Sequence, residues 1–150
     1  NESIPVYGPA FSFDERILGA VGDAALGVKN GSQWTHDLDN PANTAFVAAY
    51  KKVYGRTPTL YAAQGYDTAR LIGSALKATG GVDDLDALRA ALKKADFASV
   101  RGNFSFGTNQ HPVQDIYIRE VIKTDNGFTN KTVKKVFNNH VDAYAGQCKM

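Results

Sequence analysis

Cysteine is almost absent from this chain. Cys148 is the only one in 150 residues, so no internal disulfide can form, and no second cysteine or histidine stands at metal-ligand spacing. A single thiol leaves the compartment open. Long apolar runs are missing too, the longest falling far short of the roughly 18 residues that a membrane-crossing helix requires. No signal peptide is visible, and the chain opens on Asn1, almost inside a strand-like "NESIPVYGP", as though cut from something longer. Charge of one sign is scarce. The net charge of +2 comes from scattered pairs, Lys51-Lys52, Lys93-Lys94 and Lys134-Lys135, which read as solvated faces and offer nucleic acid no basic stripe. Catalytic and cofactor signatures are missing as well. "GAVGDAALG" lies within a helical pattern and lacks the G-x-G-x-x-G spacing, and there is neither a G-x-S-x-G elbow nor a P-loop.

What is present is an ordinary globular composition, 43% hydrophobic and 21% charged. A single domain of this length buries about 70% of the surface its unfolded chain exposes, enough for a core. "VYGPAFSFDERI" begins as a strand, breaks at Gly8-Pro9 and turns into a helix. Ser12 and Glu15 have capping-box spacing, which predicts a helix from about Phe13 to about Ala25. Arg16 occupies the position where a hydrophobic staple needs an apolar residue, so Phe11 has no local packing partner and is free to face something else.

"ALGV" reads as a short buried strand and "NGSQWTHDLDN" as a polar loop holding the only tryptophan, Trp34. Asn40-Pro41 and Thr57-Pro58 each place a cap before a proline, predicting helices that stop at Gly55 and at Gly80-Gly81. In the second of these, Leu60, Ala63, Leu71, Ser74 and Ala75 are inward candidates, and small residues such as Gly65 and Gly73 suit close approach by a neighbour. Asp83 is expected to cap a third helix carrying Leu85, Leu88, Ala91 and Leu92 at helical spacing. Beyond Ala95 the period becomes two. "GNFSF", "VQDIYIREVIK" and "TVKKVF" read as strands, with Ile116, Ile118 and Ile122 on one face of the middle one and Asp125-Asn126-Gly127 as a tight hairpin turn. The order implies an α/β fold that ends in a β-meander.

Candidate chemistry is sparse. His36, Asp37 and Asp39 are ligand types close together, but "THDLDNP" lacks EF-hand spacing and reads as the turn into the Asn40 cap. His111 and His140 have no sequence-visible partner and read as surface or hydrogen-bonded histidines. Asp67 and Arg70, three residues apart, read as a helix-supporting pair. Tyr61 and Tyr66 suit either a core or, near the helix start, the wall of a cleft.

Four segments in order, "PVYGP" with its capped helix, "DNPANTAFVAAYKKVYGRTP", "YAAQGYDTARLIGSAL" and "VRGNFSFGTNQHPVQDIYIREV", span nearly the whole chain. Together they resemble the second half of the type I periplasmic solute-binding proteins, which serve ABC importers of branched-chain amino acids and aromatic acids. The resemblance implies two three-layer α/β/α lobes joined by three crossing strands, a ligand held between them without reaction, no cofactor, and a protein about twice this long. It implies that residues 1–34 and 103–150 are part of lobe two and residues 35–102 part of lobe one.

By the same resemblance the corner Pro9, Ala10, Phe11 and Ser12 falls where lobe two meets the ligand. Tyr61 falls where lobe one offers a side chain across the cleft, and Trp34 lies near the second crossing as a wall or as hinge packing. The amino acid binders carry a glutamate near Ala10 that receives the ligand's ammonium group. Without a carboxylate, a buried ammonium is left unpaired at a cost of several kcal/mol, so an aromatic carboxylate suits the corner better. The Ser12 hydroxyl and the amides that open the helix are then available as donors. The implied partners are this small ligand and the importer's membrane permease, and the implied location is the periplasm.

Three alternatives stand beside this reading. A branched-chain amino acid could be the ligand; the same fold could serve as a sensing domain of a receptor; or an α/β hydrolase could use Ser12 or His111. A chain holding only part of a two-lobed protein leaves apolar faces uncovered, which predicts self-association.

Overall fold

The computed structural model describes residues 4–148. A mixed sheet organises them, built around one long strand. β4 (Pro112–Thr124) pairs antiparallel on one side with both β2 (Lys29–Ser32) and β3 (Phe104–Phe106), and on the other with β5 (Gly127–His140). β1 (Tyr7–Pro9) runs parallel to β2, with Tyr7 opposite Lys29 and Pro9 opposite Gly31. Among the described residues four α-helices accompany the sheet: α1 (Glu15–Val21), α2 (Pro41–Tyr54), α3 (Leu60–Thr79) and α4 (Leu85–Lys94).

The helix starts follow side-chain caps, and three differ from the expected ones; α1 also ends at Val21, short of the expected Ala25, where Gly22 takes a φ of 65°. The chain leaves β1 in a 3₁₀ turn, Ala10–Phe13, and Asp14, not Ser12, caps α1 by accepting from the Arg16 amide at 3.2 Å. Glu15 does not reach back to Ser12 because its carboxylate accepts from Asn130 on β5 at 2.8 Å. The Thr57-Pro58 signal is displaced by two residues: Thr59 is the cap of α3, its hydroxyl accepting from the Ala62 amide at 3.1 Å. Asp84, not Asp83, caps α4, because its carboxylate reaches the amides of both Asp86 and Ala87. The Asn40-Pro41 start of α2 and the glycine stops of α2 and α3 stand as expected, Gly55 and Gly80 taking φ of 66° and 74°.

One strand expectation also shifts. "ALGV" is not a strand: Gly27 takes a φ of 77° in a turn, and β2 begins beyond it at Lys29. On β4 the buried side chains are Asp115, Tyr117, Arg119 and Val121, while Ile116, Ile118 and Ile122 stay half-buried. The reason is α1, which lies on the first of these faces and packs Leu18 against Val28 and Val121. In the β4–β5 turn Thr124 faces Gly127, and of the turn residues Gly127 alone has positive φ, at 101°. An added Cβ at Gly65 or Gly73 would meet no atom within 4 Å, so among the described residues no neighbour approaches α3 there.

The apolar interior forms two clusters. One gathers Ala10, Trp34, Phe46, Val47, Leu60, Ala63 and Val100, and the other gathers Leu18, Ala25, Val28 and Val121 under Phe13 and Phe128. Asp67 corrects the expected pairing with Arg70. It is buried on α3 and accepts from the Ser99 hydroxyl at 2.6 Å and the Val100 amide at 2.9 Å, with Arg101 Nε 3.3 Å away as a charge contact. That cluster ties α3 to the segment leading into β3.

Candidate ligand-binding site

The corner between β1 and α1 is shaped from below. Ala10 points into the first cluster, whereas Phe11 is 58% exposed and Ser12 is exposed as well. The expected absence of a staple partner for Phe11 therefore leaves an aromatic ring in solvent. Under the corner lies a buried polar network. Arg119 donates through Nη2 to the Ala10 carbonyl at 3.3 Å and through Nε to Asn30 Oδ1 at 2.8 Å. Asn30 donates to Asn130 Oδ1 at 2.8 Å, and Asn130 donates to the Phe13 carbonyl at 2.7 Å.

The start of α3 meets this corner. Asp14 caps α1 with one carboxylate oxygen and accepts from the Leu60 amide with the other, at 3.1 Å. One buried side chain thus satisfies free amides at two helix starts. Leu60 shares the first cluster with Ala10, and the next residue, Tyr61, is 57% exposed. Ala10 and Leu60 pack inward together, and the aromatic residue that follows each stays outside.

The loop between β2 and α2 is pinned to both sides. Trp34 is fully buried, edge-on to Phe46, and donates from Nε1 to Asn43 Oδ1 at 2.8 Å. Of its two sequence readings, wall or hinge packing, the buried placement fits packing. His36 Nε2 lies 3.0 Å from the Thr129 hydroxyl and 2.9 Å from the Asn130 carbonyl. Asp37 accepts from the Thr132 amide at 3.0 Å and from the hydroxyls of Thr132 and Thr35. Burial alone pushes the Asp37 carboxyl up, but hydrogen bonds from Thr132 and Thr35 and the neighbouring His36 outweigh it and hold it below its ordinary value. Burial pulls the Arg119 guanidinium down, opposed by Glu15, Asp14 and Asp37 at longer range.

A cavity of about 770 Å³ opens beside this corner, between the start of α1, the end of α2 and the β4–β5 turn. Its lining includes Glu15, Arg16, His36, Lys51 and Arg56 but none of Pro9–Ser12, and not Tyr61. Small-molecule sites are walled mainly by apolar and aromatic groups with a few placed polar ones, so this charged, open lining is the weaker candidate. Ser12 and His111 are not brought into a hydrolase arrangement. Among the described residues the Ser12 hydroxyl makes no hydrogen bond, and His111 Nδ1 stands 3.6 Å from Asp142.

The residues that sequence reasoning missed are the buried polar ones, Asp14, Asn30, Arg119 and Asn130. A polar side chain at an alternating strand position reads as outward, and only the placement of α1 shows which face is covered.

Comparison with known proteins gives one consistent picture. The periplasmic binding protein family matches residues 1–127. A solute-binding protein of an ABC transporter from Rhodopseudomonas palustris BisB5, solved with 3,4-dihydroxybenzoic acid, superposes with a TM-score of 0.84 at 39% identity, over 99% of this chain and 40% of that one. Another from R. palustris, solved with benzoate, gives 0.83 at 35% identity, over 98% and 39%. The curated Leu/Ile/Val-binding protein homolog 6 of Brucella abortus is 32% identical over 138 residues, 89% of this chain. The chain spans 35% of that relative's length.

Proposed function

Since the chain belongs to the periplasmic binding protein family, we propose that it forms part of the solute-binding component of an ABC importer and captures an aromatic carboxylate without transforming it. Pro9, Phe11 and Ser12 line one side of the crevice and Tyr61 the other, with Ala10 and Trp34 packed behind them. Residues 1–34 and 103–150 serve lobe two and residues 35–102 lobe one. The near-separation of the two apolar clusters along these limits supports the division, with Ala10 and Trp34 of the first span joining the other cluster. The protein works in the periplasm and hands its ligand to a membrane permease.

One observation carries this reading. Ala10 and Leu60 belong to one core cluster, and the residue after each, Phe11 and Tyr61, is an exposed aromatic; this supports placing both rings at the crevice. Aromatic rings gain by stacking on a flat ring between them. The ligand class has two supports. Ala10 offers no carboxylate for an ammonium, and two relatives above 30% identity were solved with benzoate and 3,4-dihydroxybenzoic acid. A branched-chain amino acid is the second reading, favoured by the name of the Brucella relative.

Titration calorimetry on the full-length protein separates them. The reading predicts that benzoate and 4-hydroxybenzoate bind, that leucine does not, and that both acids are recovered unchanged. Leucine binding with no response to either benzoate would remove the aromatic assignment.

A further inference from the structure

We propose that Arg119, Asn30 and Asn130 are positioning residues for ligand binding: together they grip the turn Ala10–Phe13 by its two end carbonyls and so set how Phe11 and Ser12 are presented. The inference rests on the reading of that turn as the ligand corner.

The turn needs outside support. It is a single 3₁₀ turn whose preceding residue, Pro9, gives no side-chain cap, and 3₁₀ geometry makes poor hydrogen bonds of its own. The support comes from distant strands. Asn30 lies on β2, Arg119 on β4 and Asn130 on β5, and all three side chains are buried, Arg119 at 0% exposure. Their bonds form one chain, from the Ala10 carbonyl through Arg119, Asn30 and Asn130 to the Phe13 carbonyl. Asn130 also donates to Glu15, so the grip extends over Asp14 into the first residue of α1.

Stability alone does not account for this arrangement. No carboxylate lies within ion-pair distance of Arg119 among the described residues, and its Nη1 has no hydrogen-bond partner. Replacing buried charged groups by apolar ones of similar volume is often neutral or stabilising. The end product of the network is the fixed shape of one exposed turn.

The test uses the full-length protein with Asn130→Ala and Arg119→Lys, and with Ala75→Gly at the far end of α3 as a control that destabilises without touching the turn. Two readouts are taken well below each Tm: hydrogen exchange of amides 11–14 without ligand, and the benzoate Kd. Both network variants should accelerate exchange at these amides and weaken benzoate about tenfold, the scale of one lost buried hydrogen bond. Ala75→Gly lowers Tm and leaves both readouts unchanged. Asn130→Asp, which keeps the acceptor for Asn30 and loses the donor, substitutes for Asn130→Ala if that variant does not fold.

Unchanged exchange or an unchanged Kd in the network variants, or the same changes in Ala75→Gly, overturns the proposal. If the wild type binds leucine in place of benzoate, the aromatic assignment fails separately, and the positioning role is read from the leucine Kd. If it binds neither, the positioning role in binding these ligands is overturned with the ligand reading, whatever the exchange rates.

Discussion

Two glycines in neighbouring elements should respond oppositely to the same added methyl group. A Cβ built on Gly8 of β1 would lie 2.5 Å from Phe13 Cε2, 3.1 Å from Cδ2 and 3.7 Å from Cζ. Carbon atoms pack at about 3.5 to 4.0 Å, so the Phe13 ring must move, and that ring is packed against the second cluster. Overpacking of this kind costs about 1 to 3 kcal/mol. Gly19, inside α1, would meet nothing within 4 Å, and a glycine in a helix interior costs about 0.5 to 1 kcal/mol relative to alanine. Gly8→Ala and Gly19→Ala should therefore differ by about 1.5 to 4 kcal/mol in stability. At about 2 to 4 °C per kcal/mol, thermal unfolding should place Gly8→Ala several degrees below the parent and Gly19→Ala slightly above it. Because Phe13 also carries the carbonyl held by Asn130, Gly8→Ala should weaken ligand binding as well. A Gly8→Ala protein as stable as Gly19→Ala, with unchanged binding, would refute the packing of the corner against Phe13.

Other consequences can be measured directly. Asp67→Ala takes the acceptor from the Val100 amide and the buried Ser99 hydroxyl and the charge partner from Arg101, which keeps its bond to Gln114, and should cost about 3 to 5 kcal/mol by denaturant unfolding; a loss below about 1 kcal/mol would mean the cluster does not pin α3. The Asp37 carboxyl, held below its ordinary value, stabilises fully above the unfolded aspartate value of about 3.9. That contribution is lost as pH falls through the lowered native value, so the Thr132 amide resonance should titrate with a midpoint below 3.9, and a midpoint at or above it contradicts the latch. The isolated 150-residue chain leaves Ile4, Val6, Tyr7, Val53, Tyr54, Val82 and Leu85 exposed, and light scattering should find it self-associated. A monodisperse monomer would count against that expectation.

Periodicity and punctuation carried most of the architecture. Asn40-Pro41, Gly55, Gly80 and the switch to period two after Ala95 each depend on backbone chemistry local to a few residues, and each is realised. Caps were legible in kind but not in position where tertiary bonds competed. Asp14 displaced Ser12 because its second oxygen finds the Leu60 amide, 46 residues away, a partner that no local pattern reveals. The inward face of β4 was left unassigned by the sequence for a related reason. Three isoleucines outweigh an arginine in any hydrophobicity count, yet Arg119 is interior because Asn30 and the Ala10 carbonyl accept its protons. At the corner, the missing staple for Phe11 was visible in sequence, and the exposed ring agrees with it. Trp34, an isolated aromatic in a polar loop, gave no sign of the Asn43 partner that buries it.

The central claim is that Phe11 and Tyr61 face one ligand across a crevice. Isotope-edited nuclear Overhauser spectroscopy of the full-length protein bound to 4-hydroxybenzoate tests it most directly. The account predicts cross-peaks from the ligand ring protons to the side chains of both Phe11 and Tyr61. A bound ligand with contacts to neither would contradict it.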